Sequence, residues 1–482
     1  SITLSAGTVV TATIADLILR SGLDSTDGTG SMTLDGTLQT PAAGKTVTLD
    51  LNDEQGATQN TTTGRILAPN LRLLSNSTNT ASFSLLAGTR NDVDVIAAST
   101  SGFVRYSDLD DLTIGSIAAS SGIAALAGIT TVNSVTEGAA VAITANGSLT
   151  ANQPIRTSPS AAAGSLVVGT VDLQSTTSSI SITDNADIFA DGAVSFTAAG
   201  GIQTAGEVTT SNDNVTYNSA VTLTGAVAID TNTGVGTITF NSTVDGSENL
   251  QLTAGTGNID FNASVGQTTR LDQLRIVSVT NATFDQAVSA ESILQDAGSG
   301  TTTFTGMINT NTVSGVNITG TNLVLNGGVT TTAAGVLTSS LTGTATVGGS
   351  TSNIVNGAVS VNADSGITIN AAATLTSPAT ILLKSANGSI TLLPSVLVTS
   401  SAANVVFEAE DSITLSAGTV VTATIADLIL RSGLDSTDGT GSMTLDGTLQ
   451  TPAAGKTVTL ELSDEHEATQ NTTTGRILAP NL

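Results

Sequence analysis

Ser365-Gly-Ile-Thr-Ile-Asn370, Gly388-Ser-Ile-Thr-Leu-Leu393 and Asp411-Ser-Ile-Thr-Leu-Ser416 are one phrase written three times. Ile367, Ile390 and Ile413 stand 23 residues apart, and Leu375, Val398 and Val421 follow at the same spacing. A third set, Ile381 with Leu383, Val405 with Phe407 and Leu428 with Leu430, steps by 24 and 23. Apolar and polar residues alternate with period two inside each set, and Gly, Asn, Ser and Pro punctuate the gaps, as short strands joined by turns require. Three strands per turn in constant register predict an all-β chain, a parallel β-solenoid of about 20–24 residues per coil. Each strand then pairs with its counterparts one coil away, at ~4.8 Å.

Towards the middle of the chain the phrase changes. Tyr217, Phe240, Phe261, Phe284 and Phe304 recur at 23, 21, 23 and 20 residues, each followed four positions later by an aliphatic: Val221, Val244, Val265, Val288 and Ile308. Stacked coils would align these into an interior aromatic ladder beside an aliphatic column, each ring pair adding about 0.5–1.5 kcal/mol beyond burial. Asn218, Asn241, Asn262 and Asp285 follow the first four rings and predict a ladder of turn side chains. An exposed aromatic strip for sugar binding is the alternative. Alternation puts the rings with the valine column, which favours the interior.

The phrase Gly236-Thr-Ile-Thr-Phe-Asn-Ser-Thr-Val-Asp-Gly246, followed by Leu250-Gln-Leu-Thr-Ala-Gly-Thr-Gly-Asn258, resembles the giant β-strand-repeat surface proteins of bacteria. These are similar in style to filamentous-haemagglutinin-type adhesins. The likeness lies in repeat grammar and covers nearly the whole chain. It implies a right-handed parallel β-helix, export, and a role in surface attachment or an extracellular filament.

A longer period overlies the short one. Residues 1–71 recur at 412–482, an offset of 411, with four differences: Asp50/Glu461, Asn52/Ser463, Gln55/His466 and Gly56/Glu467. The expected organisation is one full repeat over 1–411, with loop-rich coils to about 170 and regular coils over about 171–411. Residues 412–482 begin the next copy. The chain opens Ser1-Ile2-Thr3-Leu4, without initiator Met or signal peptide, as a slice of a longer tandem array would. At ~23 residues per coil, a repeat would hold roughly 18 coils and span roughly 85 Å, less where insertions lengthen coils.

Composition agrees with this grammar and excludes several functions. The 482 residues include two Tyr, nine Phe and no Trp, so Val, Ile, Leu and Ala must fill the interior. Only 11% of residues are charged and mean hydropathy is positive, which argues against disorder. The net charge of −26, without a basic cluster, disfavours nucleic acid and anionic membrane surfaces. No run of about 18 apolar residues predicts a membrane span. Absence of Cys removes disulfides and thiolate metal sites.

Insertions gather in the first third. Leu23–Gly30 lengthens the first coil, and Asn52 to Thr63 reads as a second loop, holding three of the four differences between copies. The most charged segment runs from Arg90 to Asp111. Asp92 and Asp94 alternate with Val and share one outward face; with Asp108, Asp110 and Asp111 they offer carboxylates for a calcium ion. A solvated acidic face offset by Arg90 and Arg105 is the plainer reading. Asp24 and Asp27, with their counterparts Asp435 and Asp438, invite the same pair of readings, and Asp184, Asp187 and Asp191 do so more weakly. None of these matches a known calcium-loop motif. The one His, His466, replaces Gln55, and only three Lys occur, so the acid–base pairs of a polysaccharide-cleaving β-helix are not apparent.

The expected function is therefore structural. We read a secreted or cell-surface filament, stalk or matrix fibre, with no enzyme activity and no required cofactor. Its partners would be neighbouring copies of itself, end to end and in lateral bundles. The rival reading is an adhesin whose insertion loops bind a surface glycan or a protein.

Overall fold

The computed structural model describes residues 1–22, 30–52, 56–75, 81–131, 140–157, 169–348, 352–434, 441–463 and 467–482. The chain is all-β, with no helix among the described residues, and its stacked parallel strands form a β-solenoid, with about 17 turns from Ile2 to its repeat counterpart Ile413. None of the described residues belongs to a helix long and apolar enough to cross a membrane. Uniform 23-residue coils would give more turns; the longer steps between paired strands account for the shortfall. Asp24, Asp27, Asp435, Asp438, Gln55 and His466 lie outside the described residues.

Two compact units divide the chain: Ser1–Val244 with Thr253–Gly257, and Asp245–Leu252 with Asn258–Leu482. This division does not coincide with the repeat boundary at 411/412, which falls inside the second unit. In the first unit the leading strand of each coil pairs in parallel with the next: Ile2 with Met32, Met32 with Ala57, Ala57 with Phe83, Phe83 with Val104, then Val141, Val171, Val194, Val215 and Ile238. The steps run 30, 25, 26, 21, 37 and 30 before settling to 23, 21 and 23. In the second unit they are 23, 20, 21, 22, 22, 23 and 23 from Ile259 to Ile413. They then open to 30 and 25, the same lengths as at the start of the first copy.

One expectation needs correction. Asn52 to Thr63 is not a loop throughout, because Ala57–Gln59 is the leading strand of its coil, paired with Met32–Leu34 and with Ala57 opposite Phe83. The inward residues are Ala57 and Gln59, small and polar, so the apolar signature of a strand is missing. Gln59 meets its need inside the solenoid: its Nε2 donates to Asn91 Oδ1 at 2.7 Å, and its Oε1 accepts from Asn91 Nδ2 at 3.0 Å. Two buried amides that satisfy one another remove most of the desolvation cost either would carry alone.

The 37-residue coil between Val104 and Val141 carries an antiparallel hairpin, Ser116–Ile117 against Leu126–Ala127. It lies over the outer side of Asp92–Ser99. Beneath it Arg72, an outward residue by alternation, is fully buried and donates from Nη2 to Ala118 O at 2.6 Å. Its Nε and Nη1 reach no partner. Ser121 at the hairpin tip donates to Asp16 Oδ2 at 2.8 Å, so the hairpin is tied to a coil more than a hundred residues earlier. Burial raises the Asp16 carboxyl, but bonds from Ser121, Ser120 and the Thr46 N–H outweigh it and hold the group below its usual range.

Candidate functional site

The features that the sequence singles out are the interior columns of the coils and the boundary between the two copies of the repeat. In the first unit Phe196, Tyr217 and Phe240 stack with ring centroids 4.7 and 5.0 Å apart. In the second, Phe261, Phe284 and Phe304 stack at 4.8 and 4.5 Å, nearly coplanar. All six rings are inside, at 1% exposure or less, which leaves none for a sugar strip. Parallel in-register pairing forces this geometry: Phe261 faces Phe284 and Phe284 faces Phe304 across the ladder, so the spacing of the strands sets the spacing of the rings.

The aliphatic column follows the same rule. Ile202 pairs with Val221 in the first unit, where Val244 is also buried; Val265 pairs with Val288 and Val288 with Ile308 in the second. Asn241 Nδ2 donates to Asn218 Oδ1 at 2.9 Å, one rung of the predicted turn ladder. Sequence reasoning missed Phe196, because Gly200 stands four positions after it where the other rings have an aliphatic. It also missed the hydroxyl of Tyr217, which reaches no partner in the column and whose burial pushes its pKa far up.

The boundary between repeats is built without interruption. Ile390, Thr391 and Leu392 pair with Ile413, Thr414 and Leu415; Leu397–Ser400 pairs with Val420–Ala423; Val405–Ala409 pairs with Leu428–Ser432. Side chains reinforce it. Ser412 N donates to Ser389 Oγ at 3.3 Å, Asp427 N to Asn404 Oδ1 at 3.0 Å, and Ser432 Oγ to Asp411 O at 2.6 Å. On the outer side a row of charges alternates. Lys384 lies 3.8 Å from Glu408, Arg431 2.8 Å from Glu408, and Arg431 2.9 Å from Glu461. Stacking in register would set like charges on like if every coil were identical, and the alternation removes that repulsion.

The acidic segment divides. Asp92 and Asp94 point outward and are exposed, as alternation predicts. Burial of its carboxyl, with Asp110 and Asp94 nearby, raises Asp92, and Arg65 opposes. Asp108 instead points inward with Val104 and Tyr106 and is 1% exposed. It accepts from Tyr106 Oη at 2.6 Å, Val93 N at 3.1 Å and Asp110 N at 3.3 Å. Burial outweighs those bonds and pushes its pKa up to about 7. Asp111 is taken up by Ser148 N, 2.6 Å away, which holds it low. The five carboxylates proposed for calcium are thus not brought together, because Asp108 is on the inner face. Among the described residues, no group of three or more acidic or His side chains is placed to hold a metal ion. Arg105 lies over the Phe103 ring at 4.6 Å.

No protein-family model, curated protein or solved structure matches the chain.

Proposed function

We propose that the chain is a length of a mechanical extracellular element, a filament, stalk or matrix fibre built from tandem 411-residue repeats. The observation that carries this reading is the repeat boundary. Three parallel pairings cross 411/412 in unbroken register, and a salt bridge spans it, so consecutive copies need no linker. A tandem array then continues as one backbone ladder, in which axial load falls on many parallel hydrogen bonds and on interior columns of Ile, Leu and Phe. The location outside the cell, and the kinship with haemagglutinin-type surface proteins, belong to the same proposal and rest on the repeat grammar of the sequence.

Cryo-electron microscopy of the native material tests it. A ~4.8 Å layer line with a longer axial repeat of roughly 85 Å or slightly less is expected. Compact particles without the long repeat would overturn the filament. A second reading, an adhesin, is favoured by one observation: the hairpin Ser116–Ala127 stands on the outer face with Ser121 and Gly122 exposed. Replacing residues 112–128 by a plain coil would abolish attachment by an adhesin and leave a fibre assembling normally.

A further inference from the structure

The alternating charges at the repeat boundary have a symmetry that axial neutralisation does not require. In the second unit, strands Leu337–Leu341, Val359–Ala363, Ile381–Ser385, Val405–Ala409, Leu428–Ser432 and Val458–Leu462 form one face, each five residues long and in parallel register. The fourth residue of each strand points out: Ser340, Asn362, Lys384, Glu408, Arg431 and Glu461. So does the second: Thr338, Ser360, Leu382, Val406, Ile429 and Thr459. The last four charged rungs read plus, minus, plus, minus, and sum to zero in a chain of net charge −26. Read in reverse they are the complement of themselves. Beside them Leu382, Val406 and Ile429 give a half-exposed apolar row.

We infer that this face is a contact between two copies of the chain, lying side by side with their axes antiparallel. A two-fold axis between the coils of Glu408 and Arg431, parallel to the strands, sets Lys384 against Glu461 of the second copy and Glu408 against its Arg431. The same operation lays Val406 on Ile429 and Leu382 on Thr459, so the apolar rows meet each other. Parallel alignment would set charge rows against apolar rows instead. Lys384, Arg431 and Glu461 keep 46%, 37% and 54% of their side-chain surface exposed, enough to take a second partner. Elsewhere the acidic chain repels its own copies; here it does not. Under this axis the four strands from Ile381 to Leu462 overlap, covering roughly 320 Å² per copy from strand rise and spacing, about 640 Å² in all and below the size of a standard specific interface. The pair is therefore weak, reversible and salt-sensitive. It deepens the filament reading by naming its lateral contact and rests on that reading only for its biological use.

The chain has no Cys, which makes cross-linking clean. Leu382→Cys and Thr459→Cys chains, each three coils from its own symmetry mate, are mixed and treated with a short bis-maleimide. Mixed dimers are expected, with little dimer from either chain alone. Self-linking equal to mixed linking, or a monomer in sedimentation at the highest soluble concentration, would overturn the contact. Charge reversal gives the second arm. Glu408→Lys puts two like pairs across the axis and should weaken the dimer at least tenfold. Glu408→Lys with Arg431→Glu in the same chain restores complementarity across the axis and should restore the dimer, although it disturbs the axial row. Failure of that rescue in a chain with native circular dichroism refutes the contact. Axial periodicity in the native material is read separately, so loss of the lateral contact and loss of the filament are distinguishable.

Discussion

The two copies of the 71-residue segment are one sequence in two environments. Their local structure is the same. Both open with coil steps of 30 and 25 residues. Gln39 donates to Thr11 at 2.7 Å and Gln450 to Thr422 at 2.8 Å. Asn60 and Asn471 each accept the N–H groups two and three residues on. Arg20 meets Asp50 and Arg431 meets Glu461, both at 2.9 Å, so the ion pair tolerates the exchange of Asp for Glu. Burial differs in opposite senses. Ile2 and Leu17 are half-exposed where Ile413 and Leu428 are fully buried; Leu51 and Ile66 are fully buried where Leu462 and Ile477 are not. The segment encodes its own turns and register, and the neighbouring coil supplies its core. That is the physics of a one-dimensional stack, in which stability is the sum of interfaces.

The largest test of this contrast compares equivalent isoleucines. Ile413→Ala should cost about 2–5 kcal/mol in the coils around it, and Ile2→Ala well under half of that. Equal losses in hydrogen exchange would mean that the neighbouring coil does not set the energy. Next comes a difference between the copies. A Cβ on Gly56 would stand 2.7 Å from the Ser82 carbonyl oxygen of the following coil, whereas the counterpart Glu467 is exposed. Gly56→Glu should destabilise coils 56–85 by about 1–3 kcal/mol, while Glu467→Gly should leave unfolding within about 0.5 kcal/mol of the parent. A tolerated Gly56→Glu would show that the next coil can move aside.

A milder effect is expected at Asp108, which has coils on both sides. Folded, its carboxyl keeps a proton up to about pH 7; unfolded, it loses it near the ordinary ~3.9. Between these values the folded state binds more protons. Stability of the surrounding coils is therefore full below the lower value, falls as pH rises through the window and levels off above about 7. Asp108→Asn should flatten that slope in denaturant unfolding at pH 5 and pH 8; an unchanged slope would place the titration elsewhere. The smallest effect belongs to the exposed pairs. Arg20→Ala should cost about 0.2–1 kcal/mol, and Arg431→Ala slightly more because it has two partners. A loss of several kcal/mol at Arg20 would contradict its solvent-screened setting.

The regular coils were legible because nothing interrupts them. Ile367, Ile390 and Ile413 pair with one another just as their spacing implies, and Phe261, Phe284 and Phe304 stack. The first third was less legible for three physical reasons. Polar residues stand in for apolar ones at Gln59, satisfied by Asn91 of the following coil, and at Asp108, held by Tyr106, Asp110 and Val93. A hairpin drawn from one long coil covers Arg72, so an outward charged side chain is buried by residues 46 positions later. Strands also merge: Arg65–Ser75 and Asp92–Ser99 run straight through a corner where other coils turn. Period-two alternation does place Asp108 inside with Tyr106, and that signal was present in the segment that otherwise suggested a cation site.

Because the boundary at 411/412 joins strand to like strand, a repeat contains a whole number of coils. Insertion or loss of one copy by recombination would thus change the length of an array without breaking the register of its strands. Every hairpin would still emerge from the same face of its own coil. Such an array can be lengthened or shortened by inheritance alone, in fixed increments, with no redesign of its joints.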